Sequence, residues 1–303
     1  MMMSEAVIQT KDLSKSYGKI DAVKGLNLSI RQGAITAFLG LNGAGKSTTL
    51  KMLLGMVAPT KGDGTVLGEQ ITDEGGSIRL RRRVAYIGEN KRLYDYMTVE
   101  QMIRFTRSFY ADWHDDLEKK LLRQYELPLD RRVKLLSKGM RTKLGLLLAF
   151  ARRPELLILD EPSDGLDPVG IEALLESLVA QCAEGTTVFF SSHQIAEVER
   201  IADNVCMLHR GELVLDASLE DLRQSYRRID LIFPTLPEES ALRLDGVEEI
   251  RTRGRQMSVM ASRNAEDVVA RAHDFSASSV DVSPVGLRDI FLEKVKESSD
   301  ALV

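Results

Sequence analysis

The sequence predicts an α/β fold, a mostly parallel sheet covered by helices on both faces, followed by a small α+β unit. Three observations predict it. Short, fully apolar runs alternate with stretches of helical spacing, one run ends in a glycine-rich turn that opens a helix, and composition shifts near Ser225. A length of 303 residues allows two domains, since one core serves roughly 100–200 residues. The chain is 44% hydrophobic and 28% charged, the make-up of an ordinary globular protein. Its 41 basic against 45 acidic residues give a formal charge of -4, so no nucleic-acid partner is expected. Cys182 and Cys206 lie far apart without metal-ligand spacing and read as reduced packing residues. Met1 to Gln9 lacks the features of a signal peptide, and the longest apolar run, Leu144 to Ala151, is far shorter than the ~20 residues that span a bilayer. Action at a membrane would need another protein.

In chain order, Ala6–Leu13 reads as extended, and a second strand is expected around Leu26–Ile30. Ala34–Leu39 is uniformly apolar and stops at Gly40, as a strand buried on both faces should. Lys46 then opens a helical pattern with apolar residues at Leu50, Leu53, Leu54 and Val57. Glu89 to Phe150 is expected to be mostly helical. Strands return at Leu156–Leu159, Thr187–Phe190 and Asn204–Leu208, with a helix over Gly170–Cys182. Arg79, Arg81, Arg82 and Arg83 form the densest basic run, read as a solvated helix face with phosphate or lipid contact as the alternative. After Ser225 the order is strand Arg228–Phe233, helix Pro237–Leu244, strands Val247–Thr252 and Gln256–Ala261, helix Ala265–Phe275, strand Ser279–Ser283 and a closing helix Val285–Glu297. That is the βαββαβ order of a ferredoxin-like domain. The closing helix carries Leu287, Ile290, Phe291 and Val295 on one stripe, which could also pack back on the first domain.

The glycine turn Gly40-Leu41-Asn42-Gly43-Ala44-Gly45-Lys46-Ser47, continued by Thr48, satisfies G-x-x-x-x-G-K-[ST]. Glycines let backbone N–H groups turn inward around phosphates, and the following helix adds its positive end. Lys46 is expected to reach the β- and γ-phosphates, with the Ser47 hydroxyl on Mg²⁺. Leu156 to Leu159 delivers Asp160 and Glu161 at a strand's carboxyl end, where parallel sheets bind ligands. Asp160 is expected to hold Mg²⁺, and Glu161 to polarise the attacking water.

Leu136-Ser137-Lys138-Gly139-Met140 resembles the signature of ABC ATPases, and it precedes the acidic strand as in that family. Glu161-Pro162-Ser163-Asp164-Gly165-Leu166-Asp167-Pro168 resembles the family's D-loop region, and Ser191-Ser192-His193 its switch histidine. The resemblance covers about Ala6 to Ser225. It implies a P-loop NTPase core over residues 1–225, with a helical subdomain at about 90–150 and an accessory domain over 226–303. It also implies an ATPase that uses ATP and Mg²⁺ and pairs head to tail with a second cassette. Tyr17 would stack on adenine, Ser137 and Gly139 would meet the partner's γ-phosphate, and Asp167 would join the nucleotide contacts. His193 would donate a hydrogen bond to the γ-phosphate.

Two positions depart from the family pattern. Glu89 stands where a glutamine is usual, and its charge would strengthen contact with Mg²⁺ or water. Met140 replaces another common glutamine. Leu136 to Arg141, with Phe109-Tyr110-Ala111-Asp112-Trp113 upstream, resembles bacterial exporter cassettes that act with separate permeases at the cytoplasmic face of the membrane. Lys91 to Val99, with Tyr94, Asp95 and Tyr96, lies where such cassettes receive a permease; packing within the helical subdomain is the other reading. A ribosome- or DNA-directed ABC ATPase would show a second cassette or a long coiled coil, and this chain has neither. A non-hydrolytic sensor is disfavoured by Glu161 and His193.

Overall fold

The computed structural model describes residues 6–89 and 93–300, which divide into two compact units, 1–216 and 217–303. The division falls before helix Leu219–Ser225, not after it as the composition shift places it. Ser218 caps that helix by accepting from Asp221 N at 2.9 Å, and Tyr226 passes straight into strand Arg227–Ile232.

The first unit holds two sheets. One is largely antiparallel, with Ile20–Leu26, Ala6–Tyr17, Lys61–Val66 and Glu69–Gln70 in order and Ser29–Arg31 beside Ala6–Tyr17. The other has the order Glu212–Ser218, Asn204–His209, Ile35–Leu39, Thr187–Ser192, Leu156–Asp160, Val84–Ile87. The inner pairings of this second sheet are parallel. Every residue of Ile35–Leu39, Leu156–Asp160 and Thr187–Ser192 is buried, which explains their unbroken apolar character. Helix Lys46–Leu53 places Leu50, Met52 and Leu53 in one core with Ile8 and Leu13 of the first sheet and Phe38, Ile158 and Phe189 of the second.

The register matters for function. Leu39 lies opposite Ser192, and Asp160 opposite Ser191. The carboxyl ends of three adjacent strands therefore finish level, and the loops that follow them open on one edge of the sheet. That is where side chains from distant parts of a parallel sheet can converge.

Helices Val99–Arg107, Asp115–Gln124 and Lys138–Phe150 make up the expected helical stretch. Thr98 and Gln101 form a reciprocal capping box at the first of them. The basic run is the end of helix Glu74–Arg83. Arg79 grips Glu69 and Arg83 grips Glu155, each through paired nitrogens, so part of the run is engaged in ion pairs.

In the second unit the antiparallel sheet has the order Val247–Arg253, Gln256–Ala261, Arg227–Ile232, Ser279–Pro284. By chain order this is second, third, first, fourth, the ferredoxin-like arrangement. Its core gathers Ile229, Leu231, Phe233, Leu242, Val259 and Val268. The helix expected over Pro237–Leu244 is instead the short 3₁₀ turn Glu239–Leu242. The closing helix, Leu287–Asp300, is tied to strand Val247–Arg253 of its own unit by Lys294–Glu248 at 2.6 Å and Lys296–Glu249. Cys182 and Cys206 are free thiols. Burial pushes the Cys206 thiol well above its ordinary pKa, with Asp216 adding to the effect.

Candidate functional site

The glycine loop leaves strand Ile35–Leu39 and turns into helix Lys46–Leu53. A Cβ on Gly40 would stand 2.5 Å from Leu208 O, and one on Gly45 would stand 2.3 Å from Ala22 O. Gly45 also has φ +108°, which L side chains rarely adopt. The loop thus presents bare backbone toward a cavity of about 330 Å³. Leu41, Asn42, Gly43, Ala44, Gly45, Lys46, Ser47, Thr48, Glu89 and Glu161 line it, together with Ala22, which sequence reasoning had not placed there. Gly45→Ala is expected to weaken ATP binding, measured by equilibrium titration with the nucleotide. Strain of about 1–3 kcal/mol at such a position corresponds to roughly 5- to 150-fold in affinity. Unchanged affinity would show that the loop accepts a side chain there.

Lys46 is buried, and its ammonium donates to Gly40 O at 2.6 Å and Leu41 O at 3.4 Å. Glu161 Oε1 lies 3.3 Å from the same nitrogen. That contact is an ion pair without hydrogen-bond geometry, and Oε1 has no hydrogen-bond partner. Oε2 of Glu161 is close to His193 on two counts. The backbone N–H of His193 donates at 3.3 Å, and ring Nδ1 lies at 2.8 Å. With Glu161 ionised, Nδ1 carries the proton of that bond and Nε2 faces away from Glu161.

Glu161 has φ +50°, a left-handed backbone that a non-glycine residue adopts only when its surroundings impose it. Ser191 does much of the imposing. Its hydroxyl donates to Asp160 Oδ1 at 2.8 Å and accepts from Glu161 N at 3.0 Å, holding both acids from the neighbouring strand. In the sequence Ser191 stands two residues before His193. A hydroxyl after the apolar run Val188-Phe189-Phe190 was the available signal.

The remaining expected residues lie apart from this cavity's lining. Tyr17 ends its strand half exposed, with Lys15 Nζ 5.1 Å from the ring centroid. Asp160, almost fully buried, lines a separate cavity of about 590 Å³ with Tyr86, Glu89 and Arg152. Burial raises the Tyr86 hydroxyl to about 12, helped by the charges of Asp160 and Glu89, so it stays a donor. Ser137 caps helix Lys138–Phe150, accepting from Met140 N at 3.2 Å. Asp167, expected at the nucleotide, uses its carboxylate to cap helix Pro168–Ala183, accepting from Gly170 N at 2.6 Å.

The signature and the turn after Glu161 meet backbone to backbone within one chain. A Cβ on Gly139 would lie 2.7 Å from Gly165 O, and one on Gly165 would lie 2.7 Å from the Lys138 side chain. Lys138 pairs with Asp164 at 2.7 Å, and the Thr142 hydroxyl donates to Lys138 O at 3.1 Å.

The donor set suits a hard cation. Ser47 offers a hydroxyl, and Asp160 and Glu89 offer carboxylates, while the described residues contain no preassembled cluster of three metal-binding side chains. Mg²⁺ fits such a site because it takes few protein ligands and completes its shell with phosphate and water oxygens.

A family model described as "ABC transporter" matches residues 23–164, and one described as "AAA domain, putative AbiEii toxin, Type IV TA system" matches residues 130–199. The bacitracin transport ATP-binding protein BcrA of Bacillus licheniformis is 35% identical, with 73% of each chain covered. An uncharacterized ABC transporter ATP-binding protein of Bacillus subtilis, YcbN, is 30% identical over 97% of this chain and 98% of its own, so the likeness extends through the second unit. A solved structure of an ATP-binding subunit of an ABC transporter is 34% identical, with TM-score 0.66, covering 72% of this chain and 92% of that one. With the phosphate loop and its acidic strand in place, these likenesses settle the family: the chain is an ATP-binding, ATP-hydrolysing protein of the ABC transporter family.

Proposed function

We propose that this cassette hydrolyses MgATP to drive export through a separate permease, working as one of a pair of cassettes at the cytoplasmic face of the membrane. The observation that carries the reading is the convergence of the glycine loop, Lys46, Glu161 and His193 at the carboxyl edge of the parallel sheet. The loop's N–H groups would hold the phosphates, and Lys46 would exchange its carbonyl partners for β- and γ-phosphate oxygens. Ser47, Asp160 and Glu89 would hold Mg²⁺, which neutralises charge on those oxygens. Glu161 would orient the attacking water, His193 would donate to the γ-phosphate, and Tyr17 would stack on adenine. Ser137 and Gly139 would meet the γ-phosphate held by the other cassette, with the N-terminus of helix Lys138–Phe150 behind them.

A partner must supply the membrane path, because no helix among the described residues is long and apolar enough to cross a bilayer. The helical subdomain carries a surface suited to a permease. Tyr94, Tyr96, Phe105 and Phe109 form a chain of ring contacts at 5.1 to 5.8 Å, and all four are exposed. Contiguous exposed aromatics of this kind favour protein contact. Lys91, at the start of the expected docking segment, lies outside the described residues. The relative named for bacitracin transport supports the transport reading.

The double variant Tyr96→Ser and Phe109→Ser tests the permease assignment. Its ATPase activity in solution should stay within about twofold of the parent, because surface changes distant from the site rarely perturb folding. Co-purification with the permease from detergent-solubilised membranes should be lost. A double variant that still co-purifies as the parent does would remove this surface from the interface.

A further inference from the structure

Asp95 stands between Tyr94 and Tyr96, two of the exposed aromatic rings, in a turn closed by Met97 N donating to Tyr94 O at 3.1 Å. Its carboxylate pairs with Arg141 of helix Lys138–Phe150, Nη2 to Oδ1 at 2.7 Å, a partner 46 positions away. Arg141 lies one helical turn past Ser137, and its backbone N–H donates to Ser137 O at 2.9 Å. The ion pair therefore joins the aromatic turn to the opening of the signature helix.

Backbone hydrogen bonds run beside it. Lys134 N donates to Asp95 O at 3.2 Å, Val133 N to Met97 O at 2.9 Å and Val99 N to Arg131 O at 3.0 Å. Residues 131–134 are thus laid along residues 95–99 and lead directly into Leu136 and Ser137. Local preference does not explain Arg141. A cation near the N-terminus of a helix opposes the helix dipole, and this helix has no acid in its first turn. The side chains of Arg141 and Asp95 are 27% and 62% exposed, and an ion pair so open to water adds little to stability. What the pair does supply is a link between two surfaces.

We propose that the Asp95–Arg141 pair is a positioning link that carries permease docking to the ATP site: a shift of the Tyr94–Met97 turn displaces Arg141, and with it Ser137. The proposal rests on the reading of the exposed aromatics as the permease surface and of Ser137 as a contact to the second cassette's nucleotide.

The test compares ATP turnover of the full chain in two forms: free, and in the complex recovered from detergent-solubilised membranes through a tag on this chain. The readout is the ratio of the two rates. For the parent it should exceed about 5, the low end of allosteric coupling. Arg141→Gln should still co-purify and keep its free rate within about twofold, while the ratio falls roughly 2- to 5-fold, as much as an exposed ion pair can carry. Asp95→Arg should lower the ratio at least as far. Asp95→Arg combined with Arg141→Asp restores the pair with its charges exchanged and should recover most of the ratio. A parent ratio near one, or an exchanged pair no better than the single variants, would overturn the proposal. So would loss of Arg141→Gln from the complex, which would make the pair a brace of the docking surface itself. If the Tyr96→Ser and Phe109→Ser double variant still co-purifies, the docking reading fails. If that variant is lost from the complex while Arg141→Gln keeps the parent's ratio, this proposal alone fails.

Discussion

Glu161→Gln is expected to bind ATP with little change and to hydrolyse it roughly 10²- to 10⁴-fold more slowly, the usual contribution of a positioned base. The substitution keeps the shape of a side chain that is 12% exposed and wedged between Lys46 and His193, so the fold should survive. It removes the charge that Oε1, the oxygen without a hydrogen-bond donor of its own, sets beside the Lys46 ammonium. Because binding outlasts hydrolysis, pairs of cassettes closed on ATP should accumulate and be seen by size exclusion with light scattering. Near-normal turnover would take the catalytic role from Glu161.

The second large effect concerns the site shared between two chains. Lys46→Ala removes the buried ammonium at the phosphate loop, and Ser137→Arg puts a long cation where the signature should meet a phosphate. Each variant alone should lose nearly all ATPase activity. Mixed together, they can form pairs in which one site joins an intact phosphate loop to an intact signature, so part of the activity should return. If mixed pairs form, as judged by co-purification of differently tagged chains, and activity does not return, head-to-tail pairing is wrong.

How much of this was legible in the sequence follows from where each residue sits. Ile35–Leu39, Leu156–Asp160 and Thr187–Ser192 are buried on both faces, so their apolar runs announced them. Lys61–Val66 did not announce itself. Its first three residues are exposed and two of its six are glycines, leaving no alternation to read. Val84–Ile87 is a four-residue strand directly behind the arginines of the preceding helix and merged with them in the sequence. The phosphate loop and acidic strand were plain because their chemistry depends on neighbours in the chain. Ser191 was not, because it acts on residues about thirty positions away, across a strand register that no local pattern encodes. The composition shift near Ser225 lies past the end of the first compact unit, Asp216, for a related reason. Leu219 and Leu222 are buried and could belong to either side, and the chain alone does not show which core receives them.

A methyl group on Gly139 would collide with Gly165 O, and one on Gly165 with the Lys138 side chain. The beginning of the signature helix and the turn that carries Glu161 are therefore one mechanical part, with the Lys138–Asp164 pair laid across the seam. If the two move together, a shift of the turn as a nucleotide's terminal phosphate departs would also shift Ser137, the end that the proposed pairing offers to the second cassette. Each chain would then carry its own record of hydrolysis to its neighbour as a displacement, delivered through backbone contact without a relay of side chains between the two places.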